Sequence, residues 1–374
     1  MESKEKKTVV IKLGSATVGC AESNEGNLSH LVDQIAELFN MGHRIVLVTS
    51  GAVSTGMKAL HIGRRPSNII DRQALAATGQ GYLIHNYQIM FAKHKIVVAQ
   101  LLLTRLGLED RERYLNARNT LIKLMEWRIL PIINENDSVA VEELCFGDND
   151  ELSALVAVKI AADLLMLVTT ADGVLIQDPG KKGNKKLLKE IDLQDSQLES
   201  SIGGSASECG TGGMKTKIKA AKMAALCGTT AVIINGLRSN TIVESFSGQC
   251  TGTICRPPTP NHKLSSKKRW LALGISSTGK EIHVDEGASK AILKTNSSLL
   301  ASGIRYCSGE FKRGDIVQIY DSSGREIAKG LVNYNSDELF KIQGRQSKDF
   351  TRILGYPRQE EVVHRDNMIV VEKI

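Results

Sequence analysis

The sequence predicts an α/β protein: a three-layer α/β/α unit around a mainly parallel sheet, followed by a smaller β-rich unit. Three observations carry this reading. Short apolar runs alternate with stretches of helical periodicity as far as Ile234. The 33 glycines against 7 prolines suit a fold with many tight strand-to-helix turns. Finally, a basic stretch at 256–275 that holds three of those prolines gives way to short, turn-rich strands. At 374 residues the chain exceeds one ordinary domain. The expected organisation is a catalytic unit over 1–255, a basic Pro-containing linker over 256–275 and a compact unit over 276–374.

The elements follow in order. Val9 to Leu13 reads as a buried strand. Leu28 to Met41 has helical spacing, with Leu31, Ile35, Leu38 and Phe39 on one side. Arg44 to Thr49 is a second strand, Ala74 to Lys93 a helix and Ile96 to Leu103 extended. A helix over Asn116 to Glu126 precedes a strand over Ile129 to Ile133. The same alternation repeats in the helix Glu151 to Ala162 and the strand Leu164 to Thr169, and again in the helix Thr216 to Cys227 and the strand Thr230 to Ile234. After the linker come strands at Glu281 to Val284, Asp315 to Tyr320 and Ile327 to Val332, with a small helix over Glu286 to Leu293. Ligands of parallel sheets sit beyond the carboxyl ends of the strands, so chemistry is expected in the turns there.

Composition excludes several classes. No apolar run is long enough to span a membrane, and the charged start, Met1 to Lys7, lacks the apolar core of a signal peptide. A cytoplasmic protein is expected. The seven cysteines form no Cys-x-x-Cys pair, which favours reduced thiols over disulfides or zinc. The net charge of +7 is not spread over a face. Both sides of the linker are nearly neutral, and the excess falls at Arg256, Lys263, Lys267, Lys268 and Arg269. That is a solvated connector before it is a nucleic-acid surface.

Four glycine-containing turns follow strands or open helices: Lys12-Leu13-Gly14-Ser15, Thr49-Ser50-Gly51-Ala52, Gly147-Asp148-Asn149-Asp150, and the run from Gly210 through Thr211, Gly212, Gly213, Met214, Lys215 and Thr216 to Lys217. Glycine lets backbone N–H groups converge on an anion, and a helix N-terminus adds its positive end. Four such turns, two with a lysine, predict a polyphosphate site. It is not a P-loop, because no G-x-x-x-x-G-K-[ST] occurs. The G-x-G-x-x-G begun at Gly210 fails at Lys215. His364-Arg365-Asp366 imitates a protein-kinase catalytic loop but has Val371 where that pattern needs Asn.

Each residue also has a plainer reading. Lys12, at the end of a buried strand, is costly unless it meets negative charge, though a strand-end lysine can snorkel to water. Lys217 sits in the first turn of a helix, where the dipole disfavours a cation unless an anion is near. Lys215 reads as a solvated neighbour. Asn134-Glu135-Asn136-Asp137 with Asp148, Asn149 and Asp150 suits turns and caps. Seven polar residues are more than two caps need.

At these motifs the chain resembles the glutamate 5-kinases of the amino-acid kinase family. The matching segments are VVIKLGS (9–15), VTSGAV (48–53), LLLTRLGLEDRERYLNARNTL (101–121), PIINEND (131–137), GDNDELSALVA (147–157) and GTGGMKTK (210–217). VDEGASKAIL (284–293), GREIA (324–328), YNSDEL (334–339), ILGY (353–356) and VHRDNMI (363–369) resemble the family's C-terminal PUA domain. The resemblance covers nearly the whole chain. It departs at Thr169-Thr170, where the family often has Thr-Asp, and in the SATVGC stretch after Gly14.

The resemblance implies ATP-dependent phosphorylation of the glutamate side-chain carboxylate, the first step of proline synthesis. It also implies inhibition by proline and assembly into dimers or tetramers. In catalysis it gives Lys12 and Lys217 to the transferring phosphoryl group and ATP phosphates, with Asp150 holding both lysines. Ser50, Gly51, Asn134, Asp137, Asp148 and Asn149 are assigned to glutamate. Lys12, Gly14, Thr169, Thr170 and the segment Gly210 to Lys217 are assigned to ATP. Mg²⁺ is expected to arrive on the ATP phosphates, with no protein ligand assigned. The chemistry agrees: a glutamate carboxylate, with a pKa of about 4.3, is already ionised at neutral pH and needs no general base. Sibling kinases acting on aspartate or acetylglutamate are the nearest alternatives. RNA is a second partner the PUA resemblance implies, and the near-neutral charge of the C-terminal unit argues against it.

Overall fold

The computed structural model describes residues 6–18, 25–104, 107–108, 110–139, 149–177, 185–193, 195, 198, 213–258, 279–295, 297–355 and 359–370. The chain divides into two compact units, Met1–Lys263 and Leu264–Ile374. Among the described residues no helix is long and apolar enough to cross a membrane.

The first unit is built on β1 (Thr8–Leu13), β2 (Arg44–Thr49), β3 (Val98–Leu103), β4 (Leu130–Glu135), β5 (Leu164–Thr169), β8 (Thr230–Asn235) and β9 (Thr253–Cys255), with a separate small hairpin of β6 (Leu175–Gln177) and β7 (Lys185–Leu187). The seven-stranded sheet has the order β3-β4-β2-β1-β5-β8-β9. All pairs are parallel except β8 with β9. Every residue of β1 is buried, including Lys12. A strand covered on both faces reads as a continuous apolar run, and Val9, Val10 and Ile11 are fully buried. Lys12 lies opposite Val48 of β2 and Leu167 of β5, at the carboxyl end of the central strand. The chain extends the sheet to one side of β1 and then crosses to the other. Such a reversal is where open α/β sheets form their ligand crevice.

The helices are α1 (Ser15–Val18), α2 (Glu25–Asn40), α3 (Ala52–Ala59), α4 (Ile69–Ala92), α5 (Arg111–Glu126), α6 (Asn149–Lys159), α7 (Met214–Leu226) and α8 (Thr241–Phe246). α2 buries Leu31, Ile35 and Leu38 completely, the side its spacing marks. α5 begins earlier than its apolar spacing suggests, because the Asp110 carboxylate accepts a hydrogen bond from the Arg113 N–H and caps it there. α3 is invisible to pattern reading: it carries Gly56, Ser54, Thr55 and Val53, poor helix formers. Tertiary packing creates it. A Cβ on Gly56 would lie 2.0 Å from the Leu75 carbonyl oxygen, and one on Gly79 would lie 1.9 Å from the Ala52 carbonyl oxygen, so α3 and α4 touch backbone to backbone.

The second unit has its own core, which includes Ile282, Val317, Ile319, Ile327 and Tyr334. β12 (Ile304–Ser308), β10 (Glu281–Val284), β13 (Ile316–Tyr320), β14 (Glu326–Leu331) and β16 (Met368–Val370) form one sheet in that order, beside a separate pair of β11 (Leu299–Leu300) and β15 (Glu361–Val363). β10 and β13 run parallel; the other neighbours are antiparallel.

Candidate active site

The carboxyl end of β1 delivers Lys12, and the first turns of α6 and α7 deliver Asp150 and Lys217. These three residues, far apart in the chain, meet in the buried interior. Lys12 Nζ lies 2.7 Å from Asp150 Oδ1, and Lys217 Nζ lies 2.9 Å from Asp150 Oδ2. Asp150 is completely buried and the lysines are 2% and 6% exposed. The Thr216 hydroxyl, 3.0 Å from Asp150 Oδ2 and 2.8 Å from the Gly213 carbonyl, braces the same carboxylate. A buried charge needs a partner, and here one carboxylate serves two ammonium groups. The trio keeps a net positive charge and suits a second, external anion.

Asn149, one residue before Asp150, belongs to a different network. Its Nδ2 lies 2.9 Å from each of the Thr49 carbonyl, Ser50 Oγ and Asn134 Oδ1. Asn134 Oδ1 also accepts from the Glu135 backbone N–H at 2.9 Å, while Asn134 Nδ2 donates to Gln80 Oε1 at 2.8 Å. Asn149 Oδ1 is buried and has no hydrogen-bond partner. Gly51 takes φ 110° at the start of α3, the left-handed conformation glycine adopts without strain. Asp137 follows the end of β4. Burial pushes its carboxyl above the usual carboxylate range, and Arg65 and Arg72 pull the other way.

On the other side of Lys12, the C-terminal ends of β5 and β8 meet. The Gly236 N–H donates to the Thr169 carbonyl at 2.8 Å. Asn235 Nδ2 donates to Asp172 Oδ1 at 2.8 Å, and Arg238 reaches the same oxygen at 2.8 Å. Gly14 closes the turn after β1: its carbonyl accepts from the Thr17 and Val18 N–H groups, and a Cβ there would sit 3.7 Å from Lys12 Nζ. α7 starts at Gly213, which has no side chain to cap it.

The residues assigned from sequence thus fall into two groups that meet at Asn149 and Asp150. Ser50, Asn134 and Asn149 touch one another. Lys12, Asp150, Thr216 and Lys217 form the charged cluster. Thr169 is half-buried, while Thr170 and Lys215 are exposed; Met214 is half-buried. Asp148, Gly210, Thr211 and Gly212 lie outside the described residues. Sequence reading missed Gln80, Arg65 and Arg72. Nothing in their spacing separates them from other polar residues on a helix or loop. Among the described residues no group of three or more His, Cys, Asp or Glu side chains could hold a metal ion.

Residues 7–235 match the Amino acid kinase family, and residues 280–354 match the PUA domain. The chain is 44% identical over 368 residues to the glutamate 5-kinase of Caldanaerobacter subterraneus subsp. tengcongensis, covering 98% of both chains. It is 41% identical over 369 residues to the glutamate 5-kinase of Vibrio vulnificus, covering 98% of this chain and 97% of that one. Among solved structures, the N-acetylglutamate synthase of Neisseria gonorrhoeae complexed with coenzyme A and N-acetyl-glutamate is similar in fold, with a TM-score of 0.51 and 18% identity over 68% of this chain and 60% of that one.

Proposed function

The chain belongs to the amino acid kinase family, and we propose that it acts as a glutamate 5-kinase whose phosphoryl transfer runs over the Lys12–Asp150–Lys217 cluster. The observation that carries the reading is Asp150, which binds one ammonium group on each of its two oxygens. The reaction is ATP-dependent phosphorylation of the glutamate side-chain carboxylate, and the acyl phosphate formed enters proline synthesis.

The nucleophile is already an anion, so catalysis reduces to holding two negative groups together. The attacking carboxylate oxygen forms a bond to the γ-phosphorus as the bond to the β–γ bridging oxygen breaks, and ADP leaves. No proton has to move in that step. Charge gathers on the transferring oxygens and on the leaving phosphate. Lys12 and Lys217 answer it, fixed beforehand by Asp150 so that nothing reorganises during transfer. Lys12 lies between the two halves of the site and meets the transferring group. Lys217 and the uncapped start of α7 meet the nucleotide phosphates. Ser50, Gly51, Asn134, Asp137, Asp148 and Asn149 hold glutamate. Gly14, Thr169, Thr170 and the 210–217 segment line the nucleotide side.

Mg²⁺ fits as an ion carried by ATP, because among the described residues both oxygens of the cluster's carboxylate, Asp150, are taken by ammonium groups. When bound, it neutralises phosphate charge. Likeness over nearly the full length also supports inhibition by proline, a dimer or tetramer, and a cytoplasmic location. The PUA match supports an RNA contact as a side role, which loss of binding to the full chain between two salt concentrations would register.

Incubation with ATP, Mg²⁺, glutamate and hydroxylamine tests the function. Glutamyl hydroxamate is expected. Product from aspartate or acetylglutamate, with none from glutamate, rejects the assignment.

A further inference from the structure

We propose that Gln80 is a positioning residue for the acceptor substrate, acting through Asn134 to hold Asn149 so that the Asn149 carbonyl oxygen receives the substrate's ammonium group. The inference rests on the glutamate reading above and adds a residue and a polarity to it.

The network has a direction that two backbone groups impose. The Glu135 N–H can only donate, so the Asn134 atom 2.9 Å away is its oxygen. The Thr49 carbonyl can only accept, so the Asn149 atom 2.9 Å away is its nitrogen. Asn149 Nδ2 therefore also faces Asn134 Oδ1, a consistent donor–acceptor pair at 2.9 Å. Reversing either amide would set donor against donor or acceptor against acceptor. One buried polar atom is left over, Asn149 Oδ1, and it is an acceptor without a donor. Native proteins rarely leave such an atom unpaired, and ligand sites are a recurrent exception. Free glutamate at neutral pH has two carboxylates and a single group that donates, its ammonium. An orphan acceptor fits that group alone.

Gln80 closes the far end of the relay. Asn134 is 2% exposed, so its Nδ2 needs a partner, and Gln80 Oε1 supplies it at 2.8 Å. Gln80 can do so because α4 is held rigidly. Its neighbour Gly79 packs onto the Ala52 carbonyl, two residues from Ser50. Two turns along the helix, the Tyr87 hydroxyl is 2.8 Å from Thr49 Oγ1. The strand end that carries Ser50 and the helix that carries Gln80 are thus locked together. Without the Gln80 oxygen, the Asn134 amide has an unpaired N–H and a reason to rotate, and Asn149 loses the acceptor that fixes its nitrogen.

The test compares Gln80→Leu, Gln80→Glu, Asn149→Ala and the double variant Gln80→Leu/Asn149→Ala in the full chain. Gln80→Leu removes the acceptor; Gln80→Glu keeps one. The expected result for Gln80→Leu is a rise in the KM for glutamate on the order of ten- to a hundredfold, the value of an oriented hydrogen bond to a charged group. The KM for ATP and kcat stay within about threefold, and Gln80→Glu recovers most of the loss. In the Asn149→Ala background, Gln80→Leu adds no further loss. Should Gln80→Leu fail to fold, the comparison of Gln80→Glu with Gln80→Ala decides in the same way. A parallel rise in both KM values, an unchanged KM for glutamate, an acidic variant no better than the apolar one, or additive losses in the double variant overturns the proposal. If wild-type protein turns over glutamate normally and Gln80→Leu matches it, this inference alone fails. If wild-type protein prefers another acid, the functional reading fails first.

Discussion

Replacing Asp150 by Asn tests the charged cluster most directly. The change is nearly isosteric and removes one negative charge that stands 2.7 Å from Lys12 Nζ and 2.9 Å from Lys217 Nζ. With an effective dielectric of about 20, each contact represents about 6 kcal/mol of attraction. Much of that offsets the cost of taking the three charges out of water, so removing one partner from such a buried pair costs about 3–5 kcal/mol. In a unit of this size about 2–4 °C accompanies each kcal/mol, and the first thermal transition should fall by about 6–20 °C. Turnover should fall by about 10²–10³, the scale set by losing one prepositioned charge-stabilising group. The two effects separate when a non-hydrolysable ATP analogue is added. Its phosphates supply an anion to the lysines, so the analogue should raise the melting temperature more in the variant than in the parent, while turnover with ATP stays low. Calorimetry and the hydroxamate assay read both. Turnover within threefold of the parent, or an unmoved melting temperature, refutes the account of Asp150 as the shared counter-ion.

Lys217→Ala should lower kcat by about 10²–10³ with little change in the KM for glutamate, and arginine should not restore it, because a planar guanidinium cannot replace a compact ammonium beside Asp150. Steady-state kinetics of both variants checks this. Asp137→Asn should raise the KM for glutamate by about tenfold and leave that for ATP nearly unchanged. Because burial lifts the Asp137 carboxyl above the usual range, the parent's KM for glutamate should climb on acidification earlier than an exposed aspartate would dictate. A KM profile against pH should be flatter in Asp137→Asn. In the second unit, hydrogen bonds from the Ser323 hydroxyl and the Arg325 and Ser323 N–H groups hold the Asp321 carboxyl down at about 2. Its folded-state value is depressed, so its contribution is complete above pH of about 4 and lost as pH falls through about 2. Acid unfolding of that unit should begin at higher pH in Asp321→Ala.

Parallel-sheet periodicity was legible because each buried strand is a continuous apolar run and each helix has a face. The charged residues were legible for the opposite reason: a lysine in an otherwise apolar strand, such as Lys12, has to be explained. The seam between α3 and α4 was not. It depends on Gly56 and Gly79 each accepting a carbonyl at a distance that no Cβ allows, and a glycine inside a helix looks merely unfavourable in sequence. Gln80 was hidden for the same reason. A glutamine on a long helix is ordinary until Asn134, on β4, is known to lie 2.8 Å away. Sequence reading assigned both Lys215 and Lys217 to the nucleotide segment while taking Lys215 as a solvated neighbour. Helical geometry separates them, leaving Lys215 exposed and Lys217 buried against Asp150.

The two halves of the site are joined by a single peptide bond. Asn149 belongs to the hydrogen-bond relay that ends at Gln80, and Asp150 belongs to the lysine cluster. Both stand in the first turn of α6, which is buried from Leu152 to Lys159 and is held at its far end, where Lys159 Nζ donates to the Leu108 carbonyl at 2.9 Å. A helix fixed along its length cannot move one of these two residues without moving the other. Recognition of the acceptor and placement of the cations therefore share one rigid element. An acceptor that fails to engage Asn149 is held weakly beside cations that are already placed, and discrimination between acceptors should appear mainly in KM, as it does for Gln80→Leu. Water makes no such engagement, so nothing holds it in line with the γ-phosphorus even though the cations are already in place, and hydrolysis of ATP should stay slow.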